Sequence, residues 1–218
     1  MATTPTILGL QRTTLRMQAI DALRRAITTG ELAPGTHVSE VEMAERLGIS
    51  RGTLREAMRT LQIEGLLTDG PRGRLLVRHM SPPELEHLFE VRAALEALAG
   101  RTLSARSDRG GFIEPLRVLA QRIAASDGTS IEQRMAADLD FHRELCRLTG
   151  NDTLLRAWTA LEGSIQLSIM HSGTDRAVRN MNADRHLELV AAIEAGDPEE
   201  TARKIHEHMA AAVQVLIS

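Results

Sequence analysis

A chain of 218 residues with 43% hydrophobic and 25% charged residues suits one large or two smaller soluble globular domains. No run approaches the roughly 20 apolar residues of a membrane helix, and Met1 to Gln11 lack a basic and then apolar leader, so neither a membrane span nor a signal peptide is expected. The lone Cys146 excludes an internal disulfide and fits a cytoplasmic location, while the net charge of −3 divides into 11 basic and 8 acidic residues over 1–80 (+3) and 15 against 21 thereafter (−6).

Residues 1–13 read as a flexible N-terminal segment. From Thr14 to Thr29, Leu15, Ala19, Leu23 and Ala26–Ile27 recur at helical spacing, and Gly30 with Leu32-Ala33-Pro34-Gly35 ends the helix. Ser39-Glu40-Val41-Glu42 has the form of a capping box opening a short helix through Leu47. Gly48 supplies a turn, and Ser50 caps a second helix running to about Glu64, with Leu54, Met58 and Leu61 inward. Two helices about a Gly turn form a helix-turn-helix. Arg51, Arg55 and Arg59 lie four apart on the face away from Leu54 and Leu61, with Thr53 adding a hydroxyl. Arginines there can fork onto a guanine edge or neutralise phosphates. A β-hairpin should follow, Leu66 to Val77, whose tip carries Arg72, Gly73 and Arg74 as a wing. The expectation is a mainly α protein: a winged helix-turn-helix over 14–79 that binds double-stranded DNA, then an all-helical bundle over 80–218.

This front half resembles the GntR family DNA-binding domain through Gly30-Glu31-Leu32-Ala33-Pro34-Gly35, Ser39-Glu40, Ala44 to Ala57 and Glu64-Gly65-Leu66. The resemblance implies operator contacts from Arg51 and Arg55 and a close approach of the wing-tip Gly73 to DNA. Some members carry an arginine where Val41 stands and a threonine where Gly52 stands, so base preference does not transfer.

Behind it, Ser81-Pro82-Pro83-Glu84 opens a helix to about Ser104. Further helices are expected over Gly111–Ala125, Ser130–Leu148, Asp152–Ile169, Ala177–Ala195 and Pro198–Leu216, about six in all, with starts at Thr129-x-x-Glu132 and Asp197-Pro198. Four polar residues fall on inward stripes. Asp138 and His142 lie with Met135, Leu145 and Cys146; His186 lies with Leu189, Val190 and Ile193; His208 lies with Ile205, Ala212 and Val215. Inward polar groups need partners. They are either hydrogen-bonded core residues or ligands of one divalent metal, for which imidazole and carboxylate suit zinc, nickel, iron or manganese. Arg92, inward with Leu85, Leu88 and Phe89, either binds an effector's carboxylate or pairs with Glu96 one turn on. His171, Asn151 and Arg143 could also reach a pocket; His37, His79 and His87 read as surface, and Met17, Met58 and Met135 as core.

The rear half resembles the FCD domain of FadR-type regulators through Phe89 to Glu96, Asp138-Leu139-Asp140-Phe141-His142, Gly150-Asn151, and the succession His186, Gly196-Asp197, His208. Its metal-binding members match Asp138, His142, His186 and His208 as ligands, which implies zinc or a related ion with open positions for a small organic acid effector. A homodimeric, ligand-responsive regulator, in the repressor manner of the family, is the expectation. Two rivals are a metal-free dimerising regulator and a metal-dependent hydrolase using the same side chains; the latter would leave the helix-turn-helix unexplained and has no His-Glu-x-x-His motif.

Overall fold

A computed structural model describes residues 14–108 and 110–218. The segment 1–13 lies outside them.

Helix α1 (Leu15–Thr28) starts at Thr14, whose hydroxyl accepts from the Met17 amide. It packs on α3 (Arg51–Ile63) through Ala19, Leu23 and Ile27 against Leu54, Met58 and Leu61. Leu15 and Met17, expected inward, are 59% and 52% exposed; in that first turn it is Arg16 that reaches α3, donating to Thr60 Oγ1 at 3.0 Å. Between them lies α2 (Glu40–Leu47), capped by Ser39 and closed by Gly48 at φ 63°, a left-handed bend that glycine adopts without steric cost. Strands β1 (Leu67–Asp69) and β2 (Leu75–Val77) pair antiparallel, Leu67 opposite Val77. A third segment, not expected from the sequence, joins them: Val38 N–H donates to Leu75 O and Val77 N–H to Thr36 O, so residues 36–38 line the other edge of β2.

The helical domain comprises α4 (Pro82–Ser104), α5 (Gly110–Ala125), α6 (Ile131–Arg147), α7 (Asp152–His171), α8 (Thr174–Asn180), α9 (Ala183–Ala195) and α10 (Pro198–Ile217). Its core centres on α6, where Met135, Phe141, Leu145 and Cys146 are fully buried, and α10 lies along α4. Three expectations are corrected. The stretch 177–195 is two helices, broken at Met181 and restarted by Asn182, whose side chain accepts from the Asp184 and Arg185 amides, so the described residues hold seven helices here. The cap of α6 is Ser130 with Gln133, one residue past the expected Thr129 and Glu132. On α10, Val213 and Leu216 are buried and Val215 only partly.

Candidate metal centre and nucleic-acid interface

The short α2–α3 turn presents α3 along an open face. Ser50 Oγ accepts from the Thr53 amide at 3.1 Å and lies 2.8 Å from Thr53 Oγ1, so Thr53 is half-buried against its own cap. Arg51, Arg55 and Arg59 are exposed. Arg55 donates to Glu40 of α2 at 3.0 and 2.8 Å, and this hydrogen bond holds the Glu40 carboxyl below its usual range. At the wing tip Arg72 and Gly73 are exposed, at φ 61° and 69°, uncommon for a residue with a Cβ.

Inside the helical domain α6, α9 and α10 bring three histidines together. Each of His142, His186 and His208 offers a ligand atom within 4.8 Å of the others'. His142 Nε2 lies 3.1 Å from His186 Nε2, and Asp138 Oδ1 lies 3.1 Å from the same His186 atom. Asp138 Oδ2 is 3.9 Å from His142 Nε2. The outer ring nitrogens are committed elsewhere. His142 Nδ1 is 2.6 Å from Glu96 Oε2, and His186 Nδ1 is 2.7 Å from the Asn182 carbonyl. A carbonyl only accepts, and so does an ionised carboxylate, so each neutral ring spends its hydrogen on Nδ1. With both rings neutral the two Nε2 lone pairs would face each other across 3.1 Å, and without a metal a proton between His186 Nε2 and Asp138 Oδ1 relieves them. That separation is close to that of two nitrogens bound at about 2.0–2.1 Å to one zinc ion. His208 Nδ1 is buried with no partner among the described residues. Converging lone pairs and an orphaned imidazole nitrogen therefore fit a cation.

The protonation states agree. Burial, then the charge of Arg92, pushes His142 well below 6.5, and burial, then the neighbouring histidines, does the same to His208. Burial works to raise Asp138, but the hydrogen bond and charge of His186 outweigh it and keep its pKa below the ordinary value. Neutral His142 and His208 and an ionised Asp138 are forms that bind metals, and a cation would take the place of the proton between His186 and Asp138.

Of the two sequence readings of Arg92, the structure shows the pair with Glu96. Arg92 Nε donates to Glu96 Oε1 at 2.8 Å, while Nη2 is buried without a partner among the described residues. Glu96 Oε1 also accepts from Trp158 Nε1 at 2.8 Å. Burial raises the Glu96 pKa, opposed by Arg92 and then Trp158. Sequence reasoning took Glu96 only as a partner of Arg92 and missed its hold on His142. It also missed Arg185, which donates to the His208 carbonyl at 2.6 Å and, with Lys204, lines a cavity of about 150 Å³ reaching His208 between α9 and α10. The other candidates serve elsewhere: Asn151 caps α7, Arg143 pairs with Glu162 and Asp140, and His171 lies at the end of α7 beside Ile27 of α1.

A winged helix-turn-helix joined to a helical domain with a buried polar centre defines a two-domain DNA-binding transcription regulator. Residues 9–77 match the family model "Bacterial regulatory proteins, gntR family" and residues 87–211 match the FCD domain. The chain belongs to the GntR family of transcription regulators and carries an FCD domain. It is 34% identical over 93% of its length to 88% of the "Probable D-xylose utilization operon transcriptional repressor" of Paenarthrobacter nicotinovorans. It is 25% identical over 89% of its length to 86% of the Escherichia coli "HTH-type transcriptional repressor RspR". Among solved structures, E. coli McbR/YncC shares the fold at a TM-score of 0.72 and 19% identity, covering 94% of this chain and 98% of that one. A GntR regulator of Rhodococcus sp. RHA1 does so at 0.73 and 24%, covering 92% and 97%. These relatives are regulators, which removes the hydrolase reading. No described helix is long and apolar enough to cross a membrane.

Proposed function

We propose that this regulator is a homodimeric, cytoplasmic repressor whose helical domain, residues 80–218, holds a divalent metal, zinc first, on Asp138, His142, His186 and His208. A small organic acid effector then alters operator binding by the head, residues 14–79. The single observation that carries the metal is the convergence of three buried imidazoles, with His208 Nδ1 buried and without a partner among the described residues. When bound, the ion supplies Lewis-acid positions for a carboxylate oxygen. The free Nη2 of Arg92 supports a second, charge-assisted contact to the same carboxylate. On the head, Arg51, Thr53, Arg55 and Arg59 would read the major groove, and Arg72 with Gly73 would follow the phosphates. The name of the Paenarthrobacter relative supports repression.

The test is metal analysis of untagged protein, loaded and then freed of excess metal, followed by a thermal-shift screen of small carboxylic acids. About one ion per chain is expected, lost in His186→Ala and His208→Ala, with acids stabilising only the loaded protein. Loaded protein that retains no stoichiometric metal overturns the site. A metal-free, purely dimerising domain is the second reading; the 3.1 Å pair of His186 and Asp138, closed by a proton instead of a metal, favours it.

A further inference from the structure

One helix touches both the polar centre and the DNA-binding head. On α7, Trp158 is fully buried and donates its indole hydrogen to Glu96 Oε1 at 2.8 Å, while Glu96 Oε2 lies 2.6 Å from His142 Nδ1. Further along α7, Gly163 meets the end of α3. A Cβ there would stand 2.6 Å from the Glu64 carbonyl oxygen and 3.3 Å from Leu66 Cγ, so only a hydrogen fits. Ser164 abuts Gly65, and the end of α7 lies beside α1, with His171 next to Ile27.

We infer that Glu96 is a positioning residue of the metal centre, and that α7 carries the state of that centre to the end of the recognition helix, through Trp158 at the centre and Gly163 at the head. The inference rests on the metal reading above. Glu96 gathers one donor from each of three helices: Arg92 of α4, His142 of α6 and Trp158 of α7. By accepting the Nδ1 hydrogen it fixes the His142 tautomer that turns Nε2 inward, the task carboxylates perform beside metal-bound histidines. Its other oxygen ties that histidine's position to α7. The seat at Gly163 is helix backbone against the Glu64 backbone carbonyl, with no flexible side chain between to absorb a shift. Spatial continuity alone does not establish coupling, so the link must be tested by breaking it at each end.

The experiment uses the full-length chain stripped by chelator, with zinc alone as the probe. Zinc affinity is read by competition with a chromophoric chelator, and backbone response by amide hydrogen exchange. In the wild type, zinc should slow exchange in α6, α7 and α9 and also over residues 62–67. Glu96→Gln should weaken zinc about 10- to 100-fold. Glu96→Asp, which keeps the charge but withdraws the oxygen, should fall between and serves if the first variant does not fold. At saturating zinc, Trp158→Phe and Gly163→Ala should still protect α6 and α9, yet lose the protection over 62–67. Wild-type zinc affinity in Glu96→Gln or Glu96→Asp overturns the positioning role. Zinc-loaded wild type with unchanged exchange over 62–67, or Trp158→Phe with full protection there, overturns the link while leaving the metal site standing. A wild type that binds no zinc is visible before any variant is made, and it fells the metal reading and this inference together.

Discussion

At the scale of single residues, the centre is a set of groups held in their uncharged or paired forms at a cost. His142 and His208 are held well below 6.5 by burial first, so the unfolded chain takes up protons that the native chain refuses. Their contribution to stability is therefore complete above about pH 6.5 and is lost as pH falls toward their depressed native values, by up to about 1.4 kcal/mol per pH unit for each histidine. Metal-free protein should show a denaturation midpoint that drops between pH 7 and pH 5, and His208→Gln should flatten that drop. An unchanged slope in the variant would mean His208 titrates freely. The inward faces of Asp138, His142, His186 and His208 were legible from helical periodicity, because burial follows the 3.6-residue repeat. The role of Glu96 was not. Its partners His142 and Trp158 lie 46 and 62 residues away, and nothing local marks such a convergence.

At the scale of elements, the caps were the most readable signals. Ser50 and Ser39 stand where expected because their hydroxyls satisfy amides that the first helical turn leaves free. Ser50→Ala should cost about 1 kcal/mol in chemical denaturation, through loss of the Thr53 amide contact. The break at Met181–Asn182 was overlooked although Asn is among the best N-caps; the apolar rhythm on either side made one long helix look continuous. The strand-like pairing of residues 36–38 was equally hidden, since its reason is the unpaired edge of β2, a tertiary matter. On α3, Arg51→Ala should reduce affinity for the regulator's own promoter fragment by about 1–3 kcal/mol if it forks onto a base. Wild-type affinity in Arg51→Ala would mean that α3 is not the reading helix.

At the scale of the whole molecule, the +3 front and −6 rear match a division between a head for polyanionic DNA and a domain for a small ligand. Binding to the promoter fragment should weaken with salt at a slope of about −0.9 per phosphate contact, and Arg72→Ala should lower that slope by about one contact. A slope unaffected by Arg72→Ala would remove the wing from the interface. A dimer reading two half-sites should protect a two-fold symmetric sequence spanning about one further helical turn.

Trp158 is the one tryptophan of a chain that has no tyrosine. Its indole is fully buried and bonded to the carboxylate that also grips His142. The intrinsic fluorescence of the protein is thus the signal of a single ring two hydrogen bonds from an imidazole of the centre. The proposed uptake of an ion and exchange of an effector, and their rates, would be followed by emission in the unlabelled regulator, with no second fluorophore to subtract.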